Sequence, residues 1–444
     1  MTSPTGQRGR HEETIPLRIP EGFGRHEDTM ALRIPEQWRR DHDHDPAPEP
    51  EAQQEQAPAP RKGGRDRYLD LLRALALVRV VLYHNFGWFW LPLLFPSMGV
   101  MFALAGSLMA RSLSRPALGV IRGRLRRLLP PMWLFGGIVV ALQVVDGGGP
   151  GADGHPTWWW GKLAFWLLPL STPPYAEDGL HGLGGLHLES GWATQLVVPL
   201  WYLRAYLWYV LLSPLMLRAL RRFPVATLCA PLVLVIAMNG FTTDHDFVYQ
   251  RVWETVNDFA TFGSCWILGM AHQEGLLKRL PQYVVPSIAP LVMVAGFWYL
   301  QSRPVDPSQP TDIEAWPIAQ AVWSLGFVAM LLHLSPSWER WPAPLERWNG
   351  LVSLLNSRAV SVYLWHVTAL VCAVPVIDHL WDVDFFYQHM KWLLTSQWFT
   401  LMVGIPLLAL LVLLFGWVED VAAKRSPRLF PYPRRPRGKR RVAD

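Results

Sequence analysis

The segment Tyr68–Leu91 reads YLDLLRALALVRVVLYHNFGWFWL, an apolar run that contains Asp70, Arg73, Arg79, His84 and Asn85. Ionisable side chains in such a run are costly to bury in a bilayer, so each is a functional candidate by default. Arg73 and His84 are separated by eleven positions. At helical pitch they fall within about 20° of the same face, about 16 Å apart along the axis. Histidine titrates near working pH and suits proton transfer. A guanidinium suits an anion or a polarised carbonyl. Asp70 stands one turn before Arg73 and is placed to pair with it. The plainer alternative is that Arg73 snorkels to the head groups and His84 is a hydrogen-bonded residue of the bundle.

The elements that position these residues follow from the segregation of charge. Residues 1–67 hold 24 charged side chains and residues 419–444 hold 12, leaving 40 for the 351 residues between. A middle this poor in charge, with long apolar runs, indicates an all-α polytopic membrane bundle. It argues against a soluble nucleic-acid binder despite the net charge of +6. Ten apolar segments are near spanning length: 68–91, 93–113, 129–145, 194–217, 224–240, 252–272, 283–300, 316–335, 352–377 and 396–418. No small-residue cleavage site follows the first, which reads as a signal anchor. With the N-terminus inside, the inner loops, counting Arg111, carry 13 Lys/Arg and the outer loops only Lys162, Arg251, Arg303 and Lys391. That bias predicts a multi-pass plasma-membrane protein with both termini cytoplasmic. Cys229, Cys265 and Cys372 all lie in apolar runs, so neither a disulfide framework nor a cysteine zinc site is expected.

Three domains follow: a disordered tail (1–67), the membrane body (68–418) and a basic, Pro-rich tail (419–444). The first tail lacks the apolar residues to offset ordering entropy. It contains a tandem repeat, GRHEETIPLRIPE at Gly9 and GRHEDTMALRIPE at Gly24, with 10 of 13 positions identical. The repeat reads either as a duplicated docking motif or as slippage in an unconstrained segment. Asp41–Asp45, alternating Asp and His, has no scaffold to fix a metal geometry. The second tail resembles a juxtamembrane segment in contact with anionic lipid. The outer loop 146–193 includes Trp158-Trp159-Trp160, expected at the interface, and 158–170 reads as an interfacial or re-entrant helix. Most of the 24 tryptophans are expected in interfacial belts. His181, His187 and Glu189 match no strong metal template, and no metal is expected.

An Arg, ten residues and a His in the first of ten spans resemble the membrane-bound acyltransferase-3 family. Further segments are similar to it across 68–418. GVMFALAG at Gly99–Gly106 looks like the second-span pattern, with Ala105 where Ser is usual. RGRLRRLLPP at Arg122–Pro131 is similar to the basic helix leading into the third span. PLWYLRAYLWYVLLSP at Pro199–Pro214 resembles the Trp-centred fourth span, and SVYLWH at Ser361–His366 the late Tyr-Leu-Trp-His motif. One departure is notable: many members carry a Glu soon after the Trp of the fourth span, whereas Trp201 is followed by Tyr202-Leu203-Arg204. No role of that Glu transfers to this chain.

The resemblance implies transfer of an acyl group, usually acetyl, from cytoplasmic acyl-CoA to a hydroxyl. The acceptor class is a surface glycan, a glycolipid or a secondary metabolite. His84 is then the general base or a nucleophile that carries the acyl group, two roles that remain open here. Arg73 would hold a CoA phosphate or polarise the thioester. Arg122, Arg124, Arg126 and Arg127 would grip the CoA phosphates, although positive-inside topology also accounts for them. Tyr363 and His366 are candidates for contacts with the acceptor, although the resemblance supports a structural role for His366. Glu254 and Asp258, one turn apart, read either as contacts with acceptor hydroxyls or as residues exposed at the membrane interface. The alternative from another class is a transporter or flippase, which the absence of a convincing internal repeat across 68–418 disfavours. The oligomeric state is not legible.

Overall fold

The structure is a computed structural model and describes residues 66–152, 154–177, 179–182, 188, 190–240, 247–303, 312–336 and 338–428. The expectations for the N-terminal tail and its repeat, for His187 and Glu189, and for residues 429–444 lie outside these residues. The described residues form helices and connecting turns. A principal helix stands at each of the ten apolar segments: α1 (Arg67–Phe86), α2 (Ser97–Ser112), α3 (Ala117–Val145), α4 (Leu200–Arg222), α5 (Pro224–Gly240), α6 (Phe247–Gln273), α7 (Val284–Gln301), α8 (Pro317–His333), α9 (Ala359–Trp381) and α10 (Gln397–Phe415).

Among the described residues, six helical stretches are suited by length and composition to cross a membrane: Leu91–Ser112, Ala117–Val145, Trp192–Arg222, Val284–Gln301, Ala359–Trp381 and Gln397–Phe415. Pro224–Asn239 and Pro317–His333 are apolar but shorter. α1 and α6 stand outside both groups and carry the polar residues Arg73, Arg79 and His84, and Glu254 and Asp258.

α6 packs against α2, α4, α5 and α8, while α9 packs against α1, α3 and α10. α1 touches both groups, through α2 on one side and through α9 and α10 on the other. The α2–α6 crossing depends on small residues. A Cβ on Gly106 would lie 2.2 Å from the Trp266 carbonyl oxygen, and one on Gly269 would lie 1.9 Å from that of Ala103. Neither glycine can carry a side chain without the helices separating, a common device of membrane helix pairs.

Five of the tryptophans, Trp159, Trp166, Trp192, Trp266 and Trp365, are buried in the packed structure and stand apart from the expected belts. Trp266, for example, stacks on Tyr209 with ring centroids 4.9 Å apart. Large aromatic rings fill the space between these helices and contribute packing that an interfacial position would not. The packed structure also continues past residue 418. Trp417–Ala422 is a helix against α3, and the chain is described to Arg428.

Candidate active site

α1 begins where the Asp66 side chain accepts the Tyr68 amide at 2.9 Å, an N-cap that satisfies one free donor of the first turn. It ends at Gly87, whose φ of 62° is a left-handed conformation, with the Gly87 amide bonded to the Tyr83 carbonyl. Glycine adopts that conformation without steric cost, which fixes His84 in the last helical turn.

Arg73 is half-buried, with Nη1 3.9 Å from Asp70 Oδ1. The expected i,i+3 pairing is present at long range, and Arg73 also borders a cavity of about 350 Å3. Arg124 and Arg127 from α3, Tyr202 and Tyr206 from α4, Tyr363 from α9, and Glu419 and Arg425 from the C-terminal segment share that wall. Arg124 donates from Nη1 to the Tyr206 hydroxyl at 3.1 Å. A second cavity of about 570 Å3 adjoins the first through Leu108, Arg124 and Arg127.

The arginine cluster is therefore divided. Arg124 and Arg127, three positions apart, face the cavities. Arg122 and Arg126 line neither, and Arg126 Nε instead reaches the Ala422 carbonyl at 3.3 Å. Residues three apart share a helix face, so the division follows from α-helical geometry.

Beyond the cavity, Tyr363 is buried with its ring 4.9 Å from that of Tyr202. The Tyr363 carbonyl lies 2.6 Å from His366 Nδ1. A carbonyl only accepts, so Nδ1 carries the proton and Nε2 of the neutral ring is a lone pair. That Nε2 is buried with no hydrogen-bond partner among the described residues, and His366 is 0% exposed. The His84 ring lies 5.1 Å from the His366 ring and is itself exposed. Arginine cavity, Tyr363, His366 and His84 thus form a continuous series of contacts. The tautomer leaves His366 a buried acceptor nitrogen without a hydrogen-bond partner among the described residues, close to His84.

Three arginines inside the apolar segments are accounted for by carboxylates far away in sequence. Arg79 Nη2 lies 2.9 Å from Glu314 Oε1, 235 positions away. Arg204 Nη2 lies 2.6 Å from Asp258 Oδ2, 54 positions away. Arg358 Nη2 lies 2.7 Å from Asp420 Oδ2, 62 positions away. Asp258 is thus engaged as the counter-charge of Arg204, and neither it nor Glu254 lines the arginine cavity. Tyr83, adjacent to His84, donates its hydroxyl to Asp312, so the turn Asp312–Ala315 holds α1 at two points. Asp312, Glu314, Glu419 and Arg425 were not singled out from the sequence. The signal for the first two was the unmatched Arg79, which required a carboxylate without indicating which one.

Among the described residues, no three His, Cys, Asp or Glu side chains converge as metal ligands.

No curated protein and no solved structure matches the chain. A family model described as an acyltransferase domain matches residues 66–418, from the N-cap of α1 through α10. The chain belongs to the acyltransferase-3 family and is a membrane acyltransferase.

Proposed function

We propose that the protein moves an acyl group, acetyl being the expected size, from acyl-CoA to a hydroxyl of a surface glycan, glycolipid or secondary metabolite. The observation that carries this reading is the cavity bordered by Arg73, Arg124 and Arg127, which ends at Tyr363 next to the His366–His84 pair. Guanidinium groups match phosphate oxygens in charge and fork geometry. Arg124 and Arg127 would hold the CoA phosphates, and Arg73, closer to α1, a phosphate or the thioester carbonyl. We place the donor cavity on the cytoplasmic side of the plasma membrane, with both termini there, because basic loops favour that side. The tail beyond the packed segment would lie on anionic lipid.

A hydroxyl attacks a thioester slowly until a base removes its proton. His84, the exposed member of the pair, would take that proton as the acceptor oxygen bonds to the acyl carbon and the C–S bond breaks. The alternative is that His84 itself carries the acyl group between donor and acceptor. His366 Nε2, a second basic atom beside it, would accept the proton in turn and return it to the departing thiolate. No net proton is consumed.

The test uses protein purified in detergent with acetyl-CoA and a cell-envelope extract as acceptor. Acceptor-dependent release of CoA thiol is expected from the wild type, and at least a hundredfold less from His84→Ala. Wild-type release by His84→Ala would overturn the assignment. Lipid and glycan mass spectrometry of a deletion strain identifies the acceptor by one missing acyl increment.

A further inference from the structure

The arginine cavity is completed by residues beyond the family match. Ala423 and Arg425 line it together with Arg73, Arg124 and Arg127. The segment that brings them there is fixed by a buried guanidinium. Arg358, 3% exposed, donates from Nη1 to the Gly416 carbonyl and from Nη2 to Asp420, each at 2.7 Å, and also to the Arg428 carbonyl. Asp420, itself buried, accepts the Arg428 amide at 3.1 Å, and the Asp420 carbonyl accepts the Arg425 amide at 2.8 Å. A buried ion pair does not usually add stability over an apolar pair, but loss of one partner strands the other charge. Here the pair closes residues 416–428 into a loop that sets the backbone of Arg425.

The consequence is an excess of positive charge. Four guanidinium groups border one cavity; Arg73 has Asp70 at 3.9 Å, and the one carboxylate in the wall for the other three is that of Glu419. Glu419 is already bonded to the Ser361 hydroxyl at 2.9 Å and to the Ser361 amide at 3.3 Å. Arg127 feels the like charges of Arg124, Arg425, Arg126 and Arg115. Clustered cations of this kind are stabilised by a ligand with several negative charges.

We propose that Arg425 is a donor-site residue: the looped segment 416–428 completes a polyphosphate site, and Arg425 binds a phosphate of the nucleotide end of the acyl carrier. This rests on the acyl-CoA reading above and adds a residue outside residues 66–418. The basic C-terminal segment then has two parts, a packed one that serves the site and the remainder beyond Arg428.

The experiment measures binding, so it is independent of turnover. CoA and adenosine 3′,5′-bisphosphate are titrated calorimetrically into the purified full-length chain, its Arg425→Gln variant and an Arg434→Gln control. The expected result is CoA binding weakened about tenfold by Arg425→Gln and unchanged by Arg434→Gln, with a parallel loss for the bisphosphate. Equal effects of the two variants, or none, would overturn the proposal. The titrations are repeated in phosphatidylglycerol nanodiscs. Loss of the Arg425 effect there would assign the cavity to a lipid head group and overturn it as well. Arg425-dependent CoA binding without acyl transfer would sink the catalytic reading alone. Acyl transfer with a donor KM indifferent to Arg425 would sink this inference alone.

Discussion

The imidazole rings of His84 and His366 lie 5.1 Å apart, on α1 and α9 respectively. The backbone carbonyl of Tyr363 holds the proton of His366 on Nδ1, away from the open Nε2. Two helices distant in sequence thus bring two imidazoles together, one exposed and one buried. The Tyr363 ring connects the buried one to the arginine cavity.

The first prediction concerns that pair. His366→Ala should lower acyl transfer by about a hundredfold or more, the usual scale for loss of an acid–base group. CoA binding should be unchanged, because His366 does not border the cavity. His366→Gln keeps a side-chain donor for the Tyr363 carbonyl but has no basic nitrogen, so it should be equally inactive. Full activity in the Gln variant would reduce His366 to a packing residue.

A second concerns Asp258. As the counter-charge of Arg204, whose side chain is 6% exposed, its replacement by Ala strands a buried cation. Such a loss costs about 3–5 kcal/mol. Thermal unfolding of Asp258→Ala in detergent should show a large drop, and the double variant Arg204→Met/Asp258→Leu should recover most of it. A residue that only binds acceptor would instead leave stability intact and raise the acceptor KM.

The α2–α6 crossing gives a third. Gly106→Val or Gly269→Val should lower stability by at least about 2 kcal/mol, since the new side chain meets backbone rather than a movable side chain. Gly137→Ala on α3, where a Cβ meets nothing within 4 Å, should be tolerated. Folded yield by size-exclusion chromatography separates the two outcomes.

A fourth concerns pH. Asp146, at the end of α3, accepts the Gly182 amide at 2.9 Å, the Trp192 indole at 3.0 Å and the His181 amide at 3.1 Å. Desolvation raises its carboxyl, but these donors together outweigh it and hold the group below its ordinary value. A depressed folded-state value means that the stabilisation is complete above the unfolded value of about 3.9 and is lost as pH falls toward the folded one. Hydrogen-exchange protection over 179–182 and 190–192, taken relative to the intrinsic rate at each pH, should therefore fall below about pH 4. In Asp146→Ala it should already be as low at pH 6. Unaltered protection in that variant would show that the carboxylate does not hold the loop.

The sequence by itself determined where helices form and which side chains are anomalous, because both depend on local properties. Each of the ten apolar runs coincides with a helix, and six of the described helical stretches are long and apolar enough to cross a membrane. An eleven-residue spacing put Arg73 and His84 on one face, and Asp70 was legible as the neighbour of Arg73 one turn away. The tertiary structure decided what those anomalies meet, because the contacts join positions tens to hundreds of residues apart. Arg79, Arg204 and Arg358 stood out in the sequence, but their carboxylates at 314, 258 and 420 are fixed only by helix packing. The free nitrogen of His366 is set by the bond to the Tyr363 carbonyl, and a backbone acceptor has no sequence signature. The division of the Arg122–Arg127 cluster needed the orientation of α3, and the arrival of Arg425 in the cavity needed the Arg358–Asp420 pair that folds the chain back.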